Sequence, residues 1–236
     1  MIPQLQICQN VVDHCIEKLT EVLRASDPMQ LHHVVLTGGS AGGLITEALA
    51  DVALNVSEQT WTNTHFWWGD ERFVESGSVD RNDLDIERHL GEYFLMSNIH
   101  RIPAADYVSD AQESANEYAR ELLVYGLDGL PPQFSLVFLG VGPDGHVASL
   151  FPGKSDLNSL AIAMPVMDSP KPPPVRITLG YPTLNNSDCT LLLLGGQSKQ
   201  KALESVMDDH GCINETPARG IRATKLYALT EHSVTV

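Results

Sequence analysis

The chain has 236 residues, 43% hydrophobic and 19% charged, with a formal net charge of −15. That length suits one large α/β domain, or two small ones, with a substantial core. The acidity argues against a nucleic-acid binder, which needs a basic face against phosphates. It also repels anions at long range, so each of the 15 Lys and Arg residues beside a glycine loop is informative. MIPQLQICQN, the N-terminal stretch, lacks the basic and apolar regions of a secretory signal. No apolar run approaches the ~20 residues of a membrane span. Cys8, Cys15, Cys189 and Cys212 show no C-x-x-C spacing and read as free thiols. A cytoplasmic protein with no membrane or nucleic-acid partner is expected, as a monomer or weak homo-oligomer.

In chain order, Val11, Val12, Cys15, Ile16, Leu19, Val22 and Leu23 recur at helical spacing, predicting a helix over about 10–25. HHVVLTGG (32–39) reads as a buried strand entering a glycine turn. Ser40 can cap a second helix with Leu44, Ile45, Ala48, Leu49 and Val52 on its apolar face. THFWWGDERF is an aromatic strand broken at Gly69. Residues 80–95 look helical, with Leu84, Leu90 and Phe94 toward the core, and IHRIP is a short strand stopped by Pro103. A helix over 111–125 ends at Gly126, and FSLVFLG (134–140) is the clearest buried strand. LAIAMPVM, PVRITLG and CTLLLLGG are further strands, Lys199–Met207 is a helix, and KLYALT is the last strand. DSPKPPP (168–174) is a rigid loop, because strands resume on both sides.

Alternating strands and helices predict an α/β fold: one open, mostly parallel, doubly wound sheet covered on both faces. No repeat or linker divides residues 1–236, so a single domain is expected.

Two glycine motifs need testing. LGVGPDGHVASLFPG (139–153) contains G-x-G-x-x-G at Gly140, Gly142 and Gly145, the dinucleotide fingerprint. Such a site requires a following helix whose N-terminus faces the pyrophosphate, and Pro152 and Gly153 interrupt one after about two turns. GGSAG (38–42) matches the G-x-S-x-G elbow of serine hydrolases, which would make Ser40 a nucleophile. The helix before it leaves little room for the earlier strands that fold requires. A third reading is a phosphate cradle, in which the Gly38, Gly39 and Ser40 backbone N–H groups and the Ser40 hydroxyl sit at a helix N-terminus.

Ligands of open α/β sheets bind at the C-terminal ends of the strands. GDER places Asp70, Glu71 and Arg72 there, either as a site or as a solvated loop with an internal ion pair. GPDGH places Asp144 two positions before His146, and a carboxylate beside an imidazole orients the ring and raises its basicity. The alternative is one packing histidine among nine. Arg176 in PVRIT and Lys199 in GGQSKQKAL complete, with Arg72, a positive cluster suited to an anion. An exposed helix charge is the other reading of Lys199.

LTGGSAGG, WWGDERFV, SNIHRIP, LGVGPDGHVASLFPG, VRITL and LLLLGGQSKQKAL, in this order over about 36–203, resemble the 6-phosphogluconolactonases. These enzymes are related to the glucosamine-6-phosphate deaminases and isomerases. The deaminases follow their D-G-H-I loop with Asn-Glu-Pro, whereas here Ser149, Leu150 and Phe151 carry no carboxylate. The resemblance implies hydrolysis of 6-phospho-D-glucono-1,5-lactone without metal or cofactor. It implies His146 as general base, Asp144 positioning it, and Arg72 stabilising the oxyanion or holding substrate. Asp70 and Asn82 would join the substrate site, and the Gly38–Ser40 turn with Arg176 and Lys199 would grip the 6-phosphate. Two segments depart from the family pattern. ESGSVDRND has Arg81 where Ser precedes Asn82 in the family, and ETPARGI is a reduced C-terminal motif matched at Pro217 and Ala218. A deaminase-like enzyme or a non-catalytic sugar-phosphate-binding protein is the alternative, although no basic helix-turn-helix is visible.

Overall fold

A computed structural model describes residues 1–84, 86–90 and 94–231. Six strands form a parallel sheet in the order β1 (Gln4–Ile7), β9 (Lys225–Thr230), β8 (Cys189–Leu193), β5 (Leu136–Gly140), β2 (His32–Leu36), β3 (Thr64–Trp68). Residues of β2, β3, β5 and β8 are almost all buried, which is why these segments read as unbroken apolar runs. The mostly parallel, doubly wound architecture is the one expected.

From β2 the chain moves outward to β3, then returns past β2 to β5 and onward to β8 and β9. Right-handed crossovers therefore set α1 (Val11–Arg24), α2 (Gly39–Glu47), α3 (Leu49–Ala53) and α4 (Glu58–Thr62) on one face. They set α5 (Ala111–Val124) and α7 (Gln200–Met207) on the other. The direction reverses between β2 and β5, so a crevice opens beyond their C-terminal ends. Thr37 ties the two strands there, its Oγ1 accepting from Gly140 N at 3.0 Å.

Several local features differ from the sequence reading. The break at Gly69 is a change of sheet: β4 (Asp70–Arg72), β7 (Arg176–Leu179) and β6 (Ala163–Val166) form a separate antiparallel sheet. Gly69 joins the two, donating to Leu36 O at 3.0 Å and accepting from Leu179 N at 2.9 Å. Strand β1, QLQI, is absent from the sequence reading, because a four-residue edge strand of mixed exposure carries no periodicity.

The expected helix over 80–95 is turns and a 3-10 segment at Ile86–His89 among the described residues, with 85 and 91–93 outside them. There the Glu71 carboxylate binds the backbone N–H groups of Asn82 and Asp83 at 2.8–3.1 Å. Leu90 and Phe94 are buried as expected, and Leu84 is half-buried. Instead of a strand, IHRIP makes one bridge, Ile99 to Phe66. Ser40 does not cap α2; Gly38 occupies the N-cap and Ser40 lies in the first turn. Leu44 is solvent-exposed rather than on the buried face. β8 and β9 fall where expected and α7 starts one residue after the expected Lys199, whereas the single turn α6 (Tyr181–Leu184) is absent from the sequence reading.

Candidate active site

The two glycine motifs meet at the crevice. Helix α2 starts at Gly39, whose φ of +74° is a left-handed conformation that glycine adopts without strain. A Cβ on Gly38 would fall 2.0 Å from Asn82 Oδ1, so the turn lies directly against Asn82 in the segment after β4. After β5 the chain makes a tight turn, Gly145 N donating to Gly142 O at 2.9 Å and Gly142 N to His146 O at 2.9 Å. No α-helix follows: Ser155–Asn158 is a 3-10 turn and β6 comes next. The dinucleotide reading fails for want of its helix.

That turn delivers His146. Its Nδ1 faces Asp144 Oδ1 in a short hydrogen bond, and its ring lies 4.8 Å, centroid to centroid, from Phe151. A Cβ at Gly142 would stand 1.9 Å from His146 Cε1 and 2.6 Å from Asp144 Oδ1, so only glycine leaves room for the pair. Gly145, at φ +80°, would press a Cβ within 2.8 Å of Thr216 Cγ2. Its carbonyl accepts from Ala218 N at 2.9 Å, so the ETPARGI segment braces the turn. Burial would raise the Asp144 carboxyl, but the hydrogen bond and charge of His146, with Lys171, outweigh it and hold it at about 2. Asp144 is thus an anion that can accept Nδ1–H and leave Nε2 toward the cleft as the basic nitrogen.

The cleft is about 300 Å³. Gly38, Gly39, Ser40, Asp70, Arg72, Asn82, His146, Arg176 and Lys199 all line it, and Asp144 stands behind His146. A sequence span of more than 160 residues is thereby gathered at one edge. No imidazole hydrogen-bonds to Ser40 among the described residues, so the elbow reading lacks its base.

Cations crowd this cleft. Arg72 and Arg176 are directly paired across β4 and β7, an arrangement of like charges that is unfavourable without an anion. Arg72 Nε is buried with no acceptor among the described residues. Arg176 is buried and lies 3.8 Å from Asp70 Oδ2. Its remaining nitrogens bind the carbonyls of Lys171, Pro172 and Pro173, each at 3.2 Å. Lys199 donates to Leu193 O at 3.1 Å, and burial together with Lys171 lowers its pKa. Asp70 also accepts from Ser149 Oγ at 2.6 Å, and Asn82 Nδ2 donates to Asp70 O at 3.0 Å.

Sequence reasoning missed Lys171, whose Nζ lies 3.3 Å from His146 Nδ1 and 3.8 Å from Asp144 Oδ1. Its signal was a lone lysine inside SPKPPP, a loop whose neighbours only the fold reveals. A larger cavity, about 520 Å³, lies beyond the Arg81–Asp83 pair, away from His146. Among the described residues no group of three or more His, Cys, Asp or Glu is arranged to hold a metal ion. No described helix is long and apolar enough to cross a membrane.

An open α/β sheet with a cation-lined crevice at its switch point and a His–Asp pair at its rim defines the class of this protein. The chain belongs to the family described as glucosamine-6-phosphate isomerases/6-phosphogluconolactonase, whose model matches residues 4–230. It is 35% identical over 214 residues to a 6-phosphogluconolactonase of Streptomyces coelicolor, covering 86% of this chain and 80% of that protein. With the 6-phosphogluconolactonase of Mycobacterium tuberculosis it shares 36% over 193 residues, 79% and 76% of the two chains. The crystal structure of 6-phosphogluconolactonase from Thermotoga maritima superposes with a TM-score of 0.79 at 26% identity, covering 97% of this chain and 98% of that one. A monomeric glucosamine-6-phosphate deaminase shares the fold at 17% identity, with a TM-score of 0.76 over 96% of both chains.

Proposed function

We propose that this protein is an enzyme that hydrolyses 6-phospho-D-glucono-1,5-lactone to 6-phosphogluconate with His146 as general base. The observation that carries the reading is the His146–Asp144 pair at the rim of a cleft lined by Arg72, Arg176 and Lys199. The curated relatives named as 6-phosphogluconolactonases supply the substrate class.

Nε2 of His146 takes a proton from water, and the resulting hydroxide adds to the lactone carbonyl. Asp144 holds the imidazolium in place as it forms. The oxyanion develops beside the Arg72 guanidinium, whose Nε has no acceptor among the described residues. Collapse breaks the bond between the carbonyl carbon and the ring oxygen. His146 returns its proton to that oxygen, now the sugar's 5-hydroxyl. The first turn of α2, with the Ser40 hydroxyl and Lys199, holds the 6-phosphate. Asp70 and Asn82 face the sugar hydroxyls, and Arg176 adds its charge while anchoring the loop at 171–173.

The deaminase branch of the family needs a further acid, and Ser149, occupied by Asp70, supplies none at that position. Incubation with each substrate and NMR identification of the products tests the reading. It expects 6-phosphogluconate from the lactone and no ammonium from glucosamine 6-phosphate. Ammonium release without lactone hydrolysis would put the deaminase reading first.

A further inference from the structure

His146 Nδ1 has two partners it cannot satisfy together. Asp144 Oδ1, held as an anion, accepts a hydrogen from it, whereas the Lys171 ammonium, 3.3 Å away, has only hydrogens to give. A ring nitrogen presents either one N–H or one lone pair. With Nδ1–H toward Asp144, Nε2 carries the lone pair and is a base. With the Nδ1 lone pair toward Lys171, the proton sits on Nε2 and the base is gone.

The Lys171 side chain is exposed on a fixed backbone. Arg176 pins the backbone of its loop through three carbonyls, while the Lys171 side chain remains 44% exposed. The other charged residues lining the cleft with His146 and Lys171 are Arg72 and Asp70 on β4, Arg176 on β7 and Lys199 after β8. Three of these four are positive, so the cleft's own side chains carry surplus positive charge. A phosphate dianion entering it is a stronger partner for an ammonium than an imidazole lone pair is.

We propose that Lys171 gates the general base: it competes with Asp144 for Nδ1 of His146, and the phosphate group of a substrate draws it away. The ring proton then leaves Nε2 to water while Nδ1 takes one up, the new Nδ1–H is donated to Asp144, and Nε2 is freed to take a proton from water. This rests on the reading of His146 as the base of a lactonase, and makes base strength depend on the phosphate that identifies the substrate. Lys171 acts through His146 and is a positioning residue.

The test splits the substrate in two: D-glucono-1,5-lactone without its phosphate, and inorganic phosphate added separately, with enzyme-free rates subtracted. Phosphate should raise wild-type turnover of the phosphate-free lactone saturably, at least about fivefold. Lys171→Met should start at the raised level and gain nothing further from phosphate. In ¹⁵N NMR of the wild type, phosphate should convert His146 to the Nδ1–H tautomer, a readout independent of turnover.

A wild type that hydrolyses the phosphorylated lactone, yet shows no phosphate activation and no tautomer change, overturns the gate alone. A Lys171→Met protein as strongly activated by phosphate as the wild type does the same. Hydrolysis of neither lactone by the wild type overturns the lactonase reading and the gate with it.

Discussion

The two ends of the parallel sheet hold histidines in opposite surroundings. At the N-terminal end, His33 and His65 are neighbours across β2 and β3, and His100 stacks on Trp67 at 3.8 Å between centroids. His65 Nδ1 meets His100 Nε2 at 2.8 Å, and His100 Nδ1 meets Glu121 at 2.6 Å. Trp67 Nε1 donates to His33 Nδ1 at 3.1 Å. Burial first, then neighbouring histidines, holds His33 down at about 3 and His65 at about 4. All three rings are buried core side chains fixed by stacking, and burial keeps His33 and His65 neutral. At the C-terminal end His146 sits on a glycine turn at the rim of a cleft, beside a carboxylate held as an anion. Residue type does not separate the two sets. Placement on a strand interior or on a loop after a strand does, with the charge of the partner.

The widest contrast comes from crowding the end that holds His146. Gly142→Ala places a methyl group within 2 Å of the His146 ring, so the dyad must shift. Lactone kcat should fall about hundredfold, the cost of a roughly 1 Å misplacement, with the far-UV spectrum unchanged. Retained turnover would mean that the geometry of the dyad does not limit the reaction.

The N-terminal end should respond to acid through stability. An unfolded chain binds protons at His33 and His65 near pH 6.5, and the folded chain binds them only well below that. Stability is therefore full above about pH 6.5 and falls as pH drops toward 4, by about 2 kcal/mol per histidine at pH 5. Urea midpoints at pH 7 and 5 measure this, and replacing His33 by Leu should flatten the slope. An equal slope in the variant would place the acid sensitivity elsewhere. The smallest effect belongs to Ser40→Ala, which should raise KM a few-fold and leave kcat nearly unchanged, with no phosphonate adduct on Ser40 in the wild type. Abolished turnover would revive the nucleophile reading.

The same contrast explains what the sequence made legible. Strands of the central sheet are buried on both faces, so HHVVL, LVFLG and CTLLL announce themselves, and the glycine turns at their ends mark the crevice. GPDGH was readable because its parts are adjacent in sequence. Lys171 was not, since it reaches His146 across 25 positions. Nor was the change of sheet at Gly69, because β4 pairs with a strand a hundred residues later in antiparallel sense. The region 80–95 misled because Leu84, Leu90 and Phe94 fit a helix, while the Glu71 carboxylate had already taken the amides of residues 72, 82 and 83.

One assay compares the two ends directly: the timed loss of enzymatically generated 6-phosphogluconolactone with His146→Ala and His100→Ala. The account predicts that His146→Ala lowers turnover by roughly 10²–10⁴-fold, the worth of a general base, with unfolding unchanged. His100→Ala should lose about 2–4 kcal/mol of stability and keep wild-type turnover per folded molecule. Wild-type turnover in His146→Ala would contradict the central claim.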